Sequence, residues 1–289
     1  IGLLNETTTK SDTPISHALK AIELARQEGS KTKALIYEPE EPTNTENKRS
    51  TKEIADLVQK SLDQGRFKLL FQPVLSLRGS EREHYEVLLR MMDKQDNGIS
   101  PAEFLDTAEE IGATTKIDRW VKLQAIKMLT EHKTNGHDTQ LIINLSKASL
   151  LDESLPPWLA VAVKAAKLPP KSLIFQLQEA YINDHLNIAK EFTEKITAIG
   201  CECSISHFGC VLTPFKALQH ISAEYIKIDG SFTQELQDGN GEPDSLINLI
   251  STLQEQQQIP LIQLIENAKE EKTMLQKQEI LALKKLEMK

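Results

Sequence analysis

From residue 52 onward, short apolar runs alternate with amphipathic stretches, and this alternation constrains the fold more than any other feature of the chain. The runs "FKLLFQPVLSL" (67–77), "EHYEVLLRMMD" (83–93), "LIINLS" (141–146), "SLIFQLQE" (172–179), "CECSISHFG" (201–209), "YIKIDGSF" (225–232) and "IPLIQLIE" (259–266) have the length and composition of strands. Between them lie helical patterns: 52–65, 100–112, 116–133, 156–167, 185–200, a short one near 214–220, and 245–257. Ser100, Pro101 and Glu103 form a good helix start. Strands that alternate with helices pair in parallel. So many units over roughly 220 residues predict a closed, TIM-like βα barrel rather than an open sheet. The Arg78–Gly79 turn predicts that the first two strands form a hairpin-like entry.

Upstream, 1–4, 15–30 and 33–39 read as strand, helix and strand. That β-α-β unit has too little apolar surface to fold alone, so residues 1–38 are expected to be the tail of a preceding domain. "PEEPTNTENKRS" has no aliphatic residue and places a linker over 39–51, leaving 52–289 as the main domain.

Net charge of −8 and a pI near 5.5 argue against a general nucleic-acid or anionic-membrane binder. A local basic pocket for a small anion stays open. No apolar run reaches the ~20 residues of a membrane span, and the start lacks a basic-then-apolar signal pattern, so a cytoplasmic protein without membrane insertion is expected. Cys201, Cys203 and Cys210 show no disulfide framework. Cys201, Cys203 and His207 could be imagined around zinc, but a fourth ligand at motif spacing is missing, and a buried strand with small thiols is the plainer reading.

Function in a βα barrel concentrates where the strands end. That rule selects Glu86 and Arg90, Asn144 and Ser146, Gln176 and Glu179, Ser206 and His207, Lys227 and Asp229, and Gln263 and Glu266. Each alone reads as a solvated strand end. Converging on one mouth, they make a site.

The ordered motifs "FQPVLSL", "YEVLLRM", "SPAEFLDTAEEIG", "IDRWV", "INLS", "SISHFG" and "YIKIDGSF" resemble the EAL family, bacterial phosphodiesterase domains acting on the second messenger cyclic di-GMP. The resemblance runs from about 52 to 270, and residues 1–38 are similar to the end of a GGDEF domain. It implies a family set of Glu, Asn, a second Glu and an Asp pair around divalent metals. Glu86 and Asn144 match that set, as do Lys227 and Asp229. The second Glu reads Gln176, the Asp pair reads Ser206-His207, and the first Glu of a later motif reads Gln263, with Glu266 matching the second. Two cations held about 3.5–4 Å apart need several anionic oxygens, so these changes imply that metals and hydrolysis are lost.

Nucleotide binding need not be lost with them. The resemblance implies a cyclic di-GMP site without metal. Arg90 is expected on a phosphate. The Val87, Leu88 and Leu89 backbone, with Gln72 and Pro73, is expected under ribose and base. Asp118 and Glu266 are expected on the guanine edges, and Glu86, Asn144, Glu179, Lys227 and Asp229 around the pocket. The wording is most similar to degenerate members that regulate type IV pilus biogenesis and twitching motility through a PilZ-type adaptor protein. A slow metal-dependent phosphodiesterase, or a scaffold that has lost nucleotide binding too, remain alternatives. The helix within 152–170, rich in apolar positions from Trp158 to Ala166, is either a partner surface or simply packed on the barrel. Residues 267–289 read as a charged helical segment, which leaves barrel closure open.

Overall fold

The computed structural model describes residues 50–76, 82–211, 213–232, 243–262 and 281–283. The chain divides into two units, Ile1–Ser50 and Thr51–Lys289. The expected β-α-β remnant and almost all of the linker lie outside the described residues. So do Gln263 and Glu266.

Helix α1 (Thr51–Gln64) stops at Gly65, whose φ of 65° is the left-handed conformation that glycine adopts without a Cβ penalty. Strands β1 (Phe67–Ser76) and β2 (Glu83–Met92) then form an antiparallel pair, as the turn between them predicts, and β3 (Gly98–Ile99) adds a short antiparallel partner to β2. Helix α2 (Pro101–Glu110) begins with proline, and the Glu103 carboxylate accepts from the Ser100 N–H at 3.0 Å. Helix α3 (Thr114–Thr134) leads to β4 (Thr139–Asn144), α4 (Lys147–Leu150), α5 (Leu155–Ala166) and β5 (Leu173–Gln178). Then come α6 (Glu179–Asp184), α7 (Leu186–Ala198), β6 (Glu202–Phe208), α8 (Phe215–Leu218), β7 (Tyr225–Ile228), α9 (Pro243–Glu255), β8 (Ile259–Ile262) and β9 (Leu281–Leu283).

β2, β4, β5, β6, β7, β8 and β9 are parallel in that spatial order. β1 pairs antiparallel with β2 on one side and with β9 on the other, and so closes the ring. The fold is therefore a TIM-like βα barrel with one reversed strand. The helical reading of 267–289 needs correction at Leu281–Leu283, which are a strand. Three residues are too few for a period to show, and their strand state comes from having β8 and β1 to pair with. Glu179 likewise opens α6 instead of ending β5.

Side chains alternate between the helix layer and the barrel interior, with period two. Leu141, Ile143, Leu173 and Phe175 join the large core under the helices, whereas Val74, Ile142, Ile174, Tyr225 and Leu261 form a smaller apolar cluster of their own. Polar layers lie on either side of that cluster along the strands. Nearer the strand starts, Gln140 Nε2 donates to Glu202 Oε2 at 2.9 Å, Lys171 Nζ to Glu202 Oε1 at 2.8 Å, and the Tyr225 hydroxyl to Gln140 Oε1 at 3.3 Å. The layer nearer the strand ends belongs to the site.

Cys201 and Cys203 are buried, Cys210 is exposed and all three are free. Burial pushes the first two thiols up to about 12 and Cys210 to about 11, away from the thiolate form that binds metal. Among the described residues no three His, Cys, Asp or Glu side chains converge as a metal-holding group. No helix of the described residues is long and apolar enough to cross a membrane.

Candidate functional site

The parallel register brings the strand ends to one level. Asn144 of β4 lies beside Gln176 of β5, and Gln176 beside Ser204 of β6. Their side chains form one chain of hydrogen bonds that ends on Glu86. Ser204 Oγ donates to Gln176 Oε1 at 3.1 Å, and Gln176 Nε2 donates to Asn144 Oδ1 at 2.7 Å and to Glu86 Oε1 at 3.2 Å. Asn144 Nδ2 also reaches Glu86 Oε1, at 3.2 Å. From the far side of the barrel, Lys227 Nζ donates to both Glu86 oxygens at 2.8 Å. Glu86 is only 3% exposed, so this carboxylate is neutralised inside the protein and has no need of a metal for that purpose.

The geometry decides whether the family's cation pair fits. Both amide oxygens are taken by neighbouring donors, both amide nitrogens face the carboxylate, and an ammonium occupies the approach to both carboxylate oxygens. Ser206 Oγ turns to the Leu177 carbonyl at 3.4 Å. Asn144 and Lys227 are shared with the family's set, so the misfit lies at Gln176, Ser206 and His207, which supply no anionic oxygen where two divalent cations need several.

At the next strand ends, His207 Nδ1 lies 2.9 Å from Asp229 Oδ2, with His207 in the left-handed region at φ 52°, where histidine is one of the few enriched non-glycine residues. Burial works to raise the Asp229 carboxyl, yet hydrogen bonds from Ser231 and His207 hold it below the ordinary range. Glu179 is 1% exposed and is pushed up by burial, against hydrogen bonds from the backbone of Gly209, Val211 and Cys210. Its Oε2 accepts from Gly209 N–H at 3.1 Å and so braces the turn after β6. Gly209 has φ 99°, and a Cβ there would meet the Phe232 ring at 2.7 Å, so the turn requires glycine.

Above the polar layer opens a cavity of about 610 Å³. Among its lining residues are Glu86, Val87, Leu88, Leu89, Asp118, Asn144, Ser146 and Lys227, together with the substituted positions Gln176, Ser206 and His207. Gln72, Pro73, Glu179 and Asp229 do not line it. Gln72 and Pro73 pair on β1 with Glu86 and Tyr85. Arg90 does not line it either. Its aliphatic stem lies against Gly98 and its Nη1 donates to the Leu89 carbonyl at 2.7 Å.

The strand-end rule missed Pro101, Ala102, Leu105, Asp106 and Glu109 of α2, Lys147 of α4, and Tyr181 of α6. Their signal was their position in segments that follow a strand on the same side of the barrel. Burial raises the Tyr181 phenol, and Glu109 and Asp106 add to the shift.

Asp118 reaches the cavity from α3. Its Oδ2 accepts from Ser146 Oγ at 2.6 Å, from Ser149 Oγ, and from Ser146 N–H at 3.4 Å, while Lys122 Nζ lies 3.7 Å away. Burial pulls the Lys122 ammonium below the usual lysine range, opposed by Asp118.

A closed βα barrel with a reversed first strand and a polar cluster at its strand ends is the class of domain that the sequence motifs implied. The family model for the EAL domain matches residues 55–279, and the chain belongs to that family. Its structure is similar to the EAL domain of FimX from Pseudomonas aeruginosa, solved bound to c-di-GMP. That likeness has a TM-score of 0.75 and 45% sequence identity, and covers 80% of this chain and 93% of that one. Among curated proteins it is 28% identical over 179 residues to the cyclic di-GMP phosphodiesterase PdeF of Escherichia coli K12, covering 62% of this chain and 24% of that protein. It is also 28% identical over 192 residues to the signaling protein YkoW of Bacillus subtilis, covering 66% and 24%. The chain thus spans about a quarter of the length of these two relatives.

Proposed function

We propose that this domain is a non-catalytic receptor that binds cyclic di-GMP without metal. The observation that carries the proposal is the state of the substituted positions: the amide of Gln176 donates to Glu86 where the family has a carboxylate, Ser206 turns to the Leu177 carbonyl, and His207 is paired with Asp229. Support for the ligand comes from the family and from the FimX EAL domain, solved with that nucleotide. In this reading the dinucleotide lies over Val87, Leu88 and Leu89, and Asp118 accepts from a guanine edge. Glu266 serves the second base. Gln72, Pro73, Glu179 and Asp229 support the floor and rim from behind, and Arg90 leaves the Leu89 carbonyl to meet a phosphate. No metal is required. Incubation with Mg²⁺ or Mn²⁺ is expected to give no linear dinucleotide above a blank; metal-dependent turnover abolished by Glu86→Ala would overturn the reading. That outcome would favour the second reading, a slow phosphodiesterase, which the kinship to PdeF and the retained Glu86, Asn144, Lys227 and Asp229 support.

The output we propose is a PilZ-type adaptor protein in type IV pilus biogenesis and twitching motility, in the cytoplasm. A receptor without chemistry acts by changing its affinity for a second molecule. Helix α5 supports a docking surface in part. Leu155, Pro156 and Leu159 are buried against the barrel, but Val161 is 69% exposed. Titration of the adaptor against Val161→Glu tests this surface. Unchanged binding would remove it and leave the receptor reading standing.

A further inference from the structure

Lys122 is 0% exposed, a rare state for a lysine, and its ammonium is spent on Asp118 and Ser149. Its three protons face the Asp118 carbonyl at 3.3 Å, Ser149 Oγ at 3.2 Å and Asp118 Oδ2 at 3.7 Å. The directions of the surrounding hydrogen bonds are forced. Ser149 Oγ accepts from Lys122 and therefore gives its own proton to Asp118 Oδ2. Ser146 Oγ accepts from Ser149 N–H at 3.1 Å and likewise gives its proton to Asp118 Oδ2. The donors that reach the Asp118 carboxyl, Ser146 N–H, Ser146 Oγ and Ser149 Oγ, all meet the same oxygen, Oδ2. Oδ1 takes no hydrogen bond among the described residues, and the carboxylate lines the cavity.

We infer that Lys122 is a positioning residue for ligand selection, which, with Ser146 and Ser149, locks Asp118 Oδ2 and presents Oδ1 to the cavity as a single fixed acceptor. This inference rests on the receptor reading and deepens it. One acceptor oxygen of fixed direction takes one N–H from a base edge and gives no partner to a base that offers only a lone pair there. Recognition at this point is one-pronged, and it depends on a residue that touches no ligand.

The test is metal-free calorimetry with cyclic di-GMP in EDTA on wild type, Lys122→Met, Asp118→Asn and the double variant. Methionine keeps the length and apolar stem of the lysine and removes the charge. The expected result is that Lys122→Met weakens binding about tenfold or more, and that adding it to Asp118→Asn costs nothing further. A Lys122→Met protein that binds like wild type overturns the inference. So does a loss that adds in full to that of Asp118→Asn, because a lysine that only supported the fold would behave that way. Should Lys122→Met not fold, Ser149→Ala reads the same clamp, with a smaller loss expected in wild type and none in Asp118→Asn. Absence of any binding by wild type would overturn the receptor reading itself, a result distinct from wild-type binding that Lys122→Met leaves untouched.

Discussion

The barrel carries two polar layers, each built on a carboxylate held by a lysine and at least one amide, and they differ in what surrounds them. Nearer the strand starts, Glu202 is held by Lys171 and Gln140. Nearer the strand ends, Glu86 is held by Lys227, Gln176 and Asn144. Both carboxylates are buried, with side chains 6% and 4% exposed. The lysines differ. Lys171 is 60% exposed and reaches in from solvent, whereas Lys227 is 12% exposed and lies within the barrel wall. One layer is a peripheral plug; the other is the floor of the cavity. A carboxylate bonded to a lysine and amides is thus not in itself a sign of function. What singles out Glu86 is a largely buried counter-charge at a ligand-sized space.

The largest expected effect comes from breaking the inner pair. Lys227→Met leaves Glu86 buried without its cation and is expected to cost about 3–5 kcal/mol in chemical denaturation. Glu86→Gln with Lys227→Met should restore most of that loss, because the two uncharged side chains leave no orphan ion. A double variant as unstable as the single one would show that Lys227 matters through packing.

Next in size is ligand affinity. Arg90→Ala is expected to weaken cyclic di-GMP binding by about 1.5–3 kcal/mol, the worth of a charged hydrogen bond. Since Arg90 donates to Leu89 in this structure, equal affinity in both proteins would mean that it stays there when ligand binds.

In the outer layer, Lys171→Met is expected to cost about 1 kcal/mol or less, because solvent screens the exposed ammonium. A cost equal to that of Lys227→Met would erase the distinction between the layers. The smallest effect is a pH dependence near the same layer. Burial pushes the His84 imidazole below its ordinary value, opposed by its bond to the Arg82 carbonyl. A depressed folded value means that this stability is fully present above the ordinary imidazole range near 6.5 and is lost as pH falls through the folded value. His84→Gln should flatten the denaturation midpoint across that window, while the wild-type midpoint falls with acid.

The inner layer was legible in the sequence because period two and the strand-end rule place Glu86, Asn144, Gln176 and Lys227 without knowledge of tertiary contacts. The same rule also selects Arg90 on the strand of Glu86, and it does not distinguish their heights along that strand. Four strand residues span roughly 13 Å, so Arg90 rises past the polar layer while Glu86 stays in it. Lys227, the cation bonded to Glu86, lies 141 residues away in sequence. Lys122 could not be read at all, because a lysine in the middle of an amphipathic helix looks like any solvated one until α4 closes over it. Closure through β9 was hidden for the same reason, since three residues carry no period and only the finished ring supplies their partners.

The most direct test of the central claim is calorimetric titration of the domain with cyclic di-GMP, once in EDTA and once in Mg²⁺. If Gln176, Ser206 and His207 have removed the cations' anionic ligands, the two isotherms should coincide and the recovered ligand should remain cyclic. Binding that appears only with Mg²⁺, or linear product in the cell afterwards, would contradict it.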